Sequence, residues 1–195
     1  RRLVEREAEL RRELRALALG QDEVLRGDLL ATLERHGEAK TEQIVKGWVD
    51  NLATDVFAND TALIEAIAAG QCDVGIVNTY YFGRQQRADA KLPVAIFWPD
   101  QGPGERGVHV NVSGAGVTTH AKEPAEARRF LEWLSTDAAQ EMFAGLNLEF
   151  PANPAVVVDP QVAAWGPFRQ DTINVAEAGR LQAAAVKLMD RAGYR

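Results

Sequence analysis

The sequence predicts an α/β layer fold. Short runs rich in Val and Ile alternate with longer stretches at helical period. Helix-start and helix-stop residues recur at the boundaries between them. The predicted strands are short and few, which suits part of a larger sheet system better than one closed domain.

Residues 1–20 are rich in Arg, Glu, Leu and Ala, strong helix formers, with Gly20 as the stop. Leu3, Leu10 and Leu17 repeat every seven residues with Leu14 alongside, a narrow apolar stripe. It predicts a solvated amphipathic helix, with a short coiled-coil contact as the alternative. Residues 22–36 and 40–54 predict two helices, separated at His36-Gly37. Asn59-Asp60-Thr61 supplies N-cap chemistry for a helix through Ala69, which Gly70 closes. Cys72 to Asn78 predicts a buried strand, and a helix follows from about Thr79–Tyr81 through Arg87. Val94 to Trp98 predicts a second strand. Pro99 to Gly107 is a loop, and Gly107 to Val112 alternates at strand period. Residues 122–135 predict an amphipathic helix carrying Phe130, Leu131 and Leu134. A further helix spans Asp137 to Ala144, Glu149 to Pro154 is extended, and the last helices cover about 173–191.

Composition bounds the function. The chain has 195 residues, 46% of them hydrophobic, which is enough for a real core. A formal charge of −6 argues against general nucleic-acid binding. No apolar run approaches the roughly 18 residues of a membrane span. The opening Arg1-Arg2 stretch lacks the apolar segment of a signal peptide. Cys72 is the single cysteine and reads as a small buried thiol. His36, His109 and His120 are too widely spaced for a ligand set. Ser113–Gly116 reads as a bend, and Tyr194 as a packing residue. Nothing resembles a nucleophile elbow or a Ser/His/Asp arrangement, so an enzyme is not expected.

Chemistry concentrates in Gly70-Gln71-Cys72-Asp73-Val74-Gly75-Ile76-Val77-Asn78-Thr79-Tyr80-Tyr81-Phe82-Gly83-Arg84. Two tyrosines and an asparagine sit where a strand hands over to a helix. Strand alternation fails at such a turn, so Tyr80 and Tyr81 can face one side. Ligands collect at the carboxyl ends of strands. The N–H groups of a helix start add partial positive charge, which favours phenolate and attracts a small anion. A phenol has a pKa of about 10, and a highly charged cation deprotonates its ligands. Paired phenolates suit hard Fe3+ and serve Zn2+ or Cu+ poorly. A Tyr-Tyr pair on its own is weak evidence, being more often two half-buried packing tyrosines.

The surrounding sequence resembles the ferric-iron-binding proteins of bacterial ABC importers. There an Asn-x-Tyr-Tyr follows a helix, Gly-Gln-Cys-Asp and a buried strand. Asn59-Asp60-Thr61, the run Val108–Val117, Phe130-Leu131-Glu132-Trp133-Leu134, Phe150-Pro151-Ala152-Asn153-Pro154 and Val186–Tyr194 are similar to the family as well. The resemblance covers about residues 28–195.

The resemblance implies the second lobe of a type II periplasmic-binding-protein clamp plus the returning segment of the first. The N-terminal lobe is expected to be largely missing. Residues 1–27 form a helical segment unlike the family, and 28–107 the second-lobe region with the Tyr-Tyr site. Residues 108–158 resemble part of the first lobe, and 159–195 give C-terminal helices packing on the second. Tyr80 and Tyr81 are the implied ligands of Fe3+. Asn78 and Asn59 are implied to hold a synergistic anion: carbonate, phosphate or citrate. Leu25 stands where the family places a third tyrosine. The implied function is extracytoplasmic or periplasmic iron binding and delivery to the membrane permease of an ABC importer. The alternatives are a truncated remnant with little iron affinity, or an interaction module. Self-association through residues 1–20 or the exposed first-lobe segment is the corresponding expectation.

Overall fold

The computed structural model describes residues 17–19 and 23–194. Most of the helix expected over 1–20 lies outside the described residues, as do Leu3, Leu10, Leu14 and the side chain of Leu25. Where that stretch enters the described part it is strand, β1 (Leu17–Ala18). It pairs in parallel with β2 (Val74–Gly75), Leu17 opposite Val74 and Ala18 opposite Gly75. The Leu17 N–H donates to the Asn51 carbonyl at 2.9 Å, and the Ala53 N–H donates to the Leu17 carbonyl at 3.0 Å. These distant partners override the helix propensity of Leu and Ala.

The helices are α1 (Glu23–Asp50), α2 (Asp60–Ala68), α3 (Thr79–Ala88), α4 (Pro124–Leu134), α5 (Asp137–Asn147), α6 (Pro160–Ala163) and α7 (Val175–Ala192). The chain forms two compact units. The first runs through Asn78 and adds Lys91–Asn111 and Arg169–Arg195. The second comprises Thr79–Ala90 and Val112–Phe168.

In the first unit α1 packs on α7. The break expected at His36-Gly37 is present: Gly37 has φ 74° and ψ 171° and divides α1 into two helical arms. Only glycine takes that conformation without a Cβ penalty. Leu29, Leu33 and Val45 of α1 meet Ala185, Leu188 and Ala192 of α7, with Leu19 and Tyr194 closing the core. Burying each large side chain contributes about 1.5–3 kcal/mol. Tyr194 is a packing residue, as expected. A smaller core joins Leu63 and Ala66 of α2 to Cys72, whose thiol is pushed up in pKa by burial and by the nearby Asp73.

The strands are shorter than expected. Cys72 to Asn78 yields only β2, and Val74 is 41% exposed. Val94 to Trp98 forms no strand, and Phe97 faces solvent. Gly107 to Val112 reduces to a bridge between Val108 and Gln170. Alternation marks two faces, but a strand also needs a neighbouring edge to complete its ladder. Charge organises this loop instead. Arg106 bonds Asp28, pairs with Asp100 at 2.7 Å and lies 3.6 Å from Asp171. Arg35 holds Asp171 at 3.1 Å. His109 lies over Gly27, and neither ring nitrogen has a hydrogen-bond partner among the described residues. Burial lowers its pKa; Asp28 and Asp171 oppose that shift and Arg106 adds to it.

In the second unit α3 is fixed from one side. Phe82 and Gly83 are buried. Phe82 meets the Trp165 ring at 6.0 Å, and Phe150 meets Trp165 and Phe168 edge-on. A Cβ on Gly83 would lie 2.6 Å from Leu148 and 2.9 Å from Trp165, so glycine permits this approach. Arg87 donates to Gln161, the Gly145 carbonyl and Asp159. Gln161 donates to the Gly83 carbonyl at 2.8 Å. The amphipathic helix expected over 122–135 is α4, but none of its residues is buried, and Phe130 and Trp133 stack in the open. No helix among the described residues is long and apolar enough to cross a membrane.

Candidate metal centre

Helical geometry advances each residue by about 100° around the axis. In α3 the buried Phe82 and Gly83 occupy one side, so Tyr80 and Tyr81 come to the other. Both tyrosines are half-buried. Their rings are 4.4 Å apart between centroids and tilted by 34°. The two tyrosines lie on the side of α3 opposite the anchored Phe82 and Gly83. The first turn of α3 carries no acidic residue. Its dipole therefore adds partial positive charge beside the phenols with no carboxylate of that turn to cancel it.

Sequence reasoning left Arg84 out of this site. Its guanidinium carbon lies 5.1 Å from the Tyr80 ring centroid and 5.7 Å from that of Tyr81. The signal was present in the spacing. Arg84 stands four residues after Tyr80 and three after Tyr81, the two offsets that meet on a helix surface.

The two asparagines lie in the first unit. Asn59 caps α2: its Oδ1 accepts from the Ala62 N–H at 2.9 Å. Asn78 is tied to Asp60, whose Oδ2 accepts from the Asn78 backbone N–H at 2.7 Å and from its Nδ2 at 3.3 Å. The Asn78 Oδ1 accepts in turn from Asn111 Nδ2 at 3.4 Å. Asp60 is fully buried. Sequence reasoning read it only as part of a cap, although a carboxylate next to an N-cap is a ready acceptor for returning backbone.

The donor set of Tyr80 and Tyr81 is oxygen, anionic once deprotonated, and matched to a hard, highly charged cation. Among the described residues no three His, Cys, Asp or Glu side chains gather at metal-binding spacing.

Comparison with known proteins adds to this geometry. Residues 14–170 match the family described as bacterial extracellular solute-binding proteins. That match begins at residue 14, ahead of residue 28 where the resemblance had been drawn. Iron uptake protein A2 of Synechocystis is 45% identical over 166 residues, 82% of this chain and 48% of its own length. The solved structure of apo FutA2 from Synechocystis superposes with a TM-score of 0.86 at 40% identity, covering 92% of this chain and 60% of that one. A Trichodesmium IdiA (FutA) protein, solved in complex with iron and citrate ligands, gives 0.83 at 36% identity, covering 92% and 59%. The chain spans about half the length of the curated relatives it matches.

Proposed function

The chain belongs to the bacterial extracellular solute-binding protein family and carries part of a type II periplasmic-binding-protein fold, and from that premise we propose that it binds ferric iron through Tyr80 and Tyr81. The observation that carries this reading is the tyrosine pair, two phenol rings 4.4 Å apart and turned out together from the first turn of α3. It is supported by similarity to a protein named for iron uptake and to one solved with iron and citrate ligands. In this reading the chain is a binding protein and not an enzyme. It works outside the cytoplasm and passes its iron to the permease of an ABC importer.

Asn78 and Asn59 are assigned to a synergistic anion: carbonate, phosphate or citrate. Capping occupies the oxygen of Asn59 and leaves its amide group as the donor an anion needs. The Asn78 amide is oriented by the Asp60 carboxylate. Residues 28–107 are read as the second-lobe region, 108–158 as part of the first lobe, and 159–195 as C-terminal helices returning to the second; the compact units divide the chain differently, grouping Thr79–Ala90 with Val112–Phe168.

Ferric citrate is the direct test. Phenolate-to-Fe3+ charge transfer gives a visible absorption band, which the Tyr80→Phe, Tyr81→Phe double variant is expected to lose while staying folded. Acid is expected to bleach the wild-type band, because protons compete for the phenolates. A band of full strength in the folded double variant would falsify the assignment.

A further inference from the structure

We propose that Arg84 is a positioning residue of the tyrosine pair, one guanidinium that covers both rings and holds them in register to receive the metal. The inference rests on the iron-binding reading of Tyr80 and Tyr81.

The argument begins with helix geometry. At about 100° per residue, adjacent tyrosines point about 100° apart around the axis. Left alone, two such side chains diverge. Arg84 comes four residues after Tyr80, at about 40° on the same scale, and so falls between the two tyrosine directions. Its charged group is accordingly near both rings, 5.1 Å and 5.7 Å from their centroids. Both distances lie inside the roughly 6 Å range over which a cation is attracted to an aromatic face. The rings themselves converge to 4.4 Å in spite of their divergent starting directions.

The residue type fits the task. A guanidinium is planar, delocalised and weakly hydrated, so one group can lie over two rings; a lysine ammonium is a compact point charge that favours one partner or water. Arg84 is exposed, whereas Phe82 and Gly83 on the far side of α3 are buried. Its guanidinium thus lies off the packed side of α3, against the two tyrosine rings. A cation over both rings would also favour the phenolate form that an Fe3+ ion requires. Arg84 thus acts through the ligands: it narrows the range of ring orientations before the metal arrives and favours their charged form.

The test uses the whole chain, ferric iron supplied as ferric citrate, and the variants Arg84→Met and Arg84→Lys. Arg84→Met keeps the apolar stem without the cation; Arg84→Lys keeps the charge without the plane. In metal-free protein, NMR is expected to find the Arg84 side-chain protons shifted upfield by the two rings. Arg84→Met is expected to lower iron affinity about fivefold in citrate competition, the scale of an exposed cation–ring contact, and to move the charge-transfer band. Arg84→Lys should fall between. The thermal melt should not change in either, because no core contact is lost. Unshifted Arg84 protons would overturn the proposal without any metal. It is also overturned if Arg84→Met and Arg84→Lys leave band and affinity unchanged while the Tyr80→Phe, Tyr81→Phe variant abolishes both; the iron-binding reading then survives. A wild-type protein without a ferric band overturns that reading instead.

Discussion

Two helices of this protein start in opposite ways. At α2 the start is satisfied by the protein itself. Asn59 caps the Ala62 N–H, and Asp60, fully buried, puts a carboxylate into the first turn and accepts two bonds from Asn78. At α3 the first turn carries Tyr80 and Tyr81 and no acidic residue. The α2 start carries its own carboxyl group, which also holds Asn78 just before α3. The other presents oxygens that become negative only when a cation displaces their protons. The contrast teaches that helix-start chemistry serves stability or ligand binding according to which residues follow the boundary. Substitution of Asp60 should therefore cost mainly folding, and substitution of Tyr80 and Tyr81 mainly iron.

The largest expected effect on folding is at Asp60. Asp60→Ala removes the acceptor of the Asn78 backbone N–H and opens a void in a site with no solvent access. We expect a loss of about 3 kcal/mol, in the range for leaving a charge-assisted buried bond unmade. Urea unfolding followed by circular dichroism measures it. A loss below about 1 kcal/mol would mean that water replaces the carboxylate, and the closed character of this start would go with it.

Gly83→Ala probes the underside of α3, and its expected cost is smaller, about 2 kcal/mol. The new methyl meets Leu148 and Trp165 at distances real Cβ atoms do not tolerate. Because Gly83 fixes the face opposite the tyrosines, the ferric band should weaken as well. Folding loss with a full band would show that ring placement does not depend on how α3 is seated.

The difference between the two starts was only partly legible in the sequence. The Asn59 cap, the break at Gly37 and the position of α3 follow from local chemistry: an amide before a helix, a glycine at positive φ, and a strand end meeting a Thr-Tyr-Tyr run. The tyrosine pair was legible for the same reason. Strand extent was not. Val94 to Trp98 is continuously apolar and Gly107 to Val112 alternates, yet neither pattern says whether a partner edge arrives. Leu17–Ala18 failed in the other direction, being drawn into strand by Val74, Gly75 and Asn51, far along the chain. The engagement of Asn78 by Asp60 was equally hidden, since it spans 18 residues. Arg84 needed no such distance. Its offsets of three and four from the tyrosines are local and legible in the sequence.

Asn59 carries two assigned roles, and two variants separate them. Asn59→Ala should cost about 1 kcal/mol through the lost cap. Asn59→Ser should retain most of that stability, because a serine oxygen also accepts from the helix start. If the amide group also holds the anion, Asn59→Ser should lower the dependence of iron binding on added carbonate or phosphate while the melt stays near wild type. Unchanged anion dependence in Asn59→Ser would confine Asn59 to capping.

The smallest expected effect on folding is at the tyrosines themselves. Phenylalanine keeps the ring, the contact between neighbours and the cation above them, and removes only the two hydroxyls. Both side chains are half-buried and lie on the face of α3 opposite the packed Phe82 and Gly83. The Tyr80→Phe, Tyr81→Phe variant should thus unfold within about 1 kcal/mol of wild type, the net worth of an ordinary hydrogen bond lost with a hydroxyl. Its iron binding should be gone all the same, because no phenolate remains to form. Urea unfolding in metal-free buffer gives the first quantity and citrate competition the second. A loss of several kcal/mol in the metal-free protein would mean that the hydroxyls serve the fold, as Asp60 does at α2. The two helix starts would then be alike, and the reading of α3 as the open one would fail on stability alone, before any iron was added.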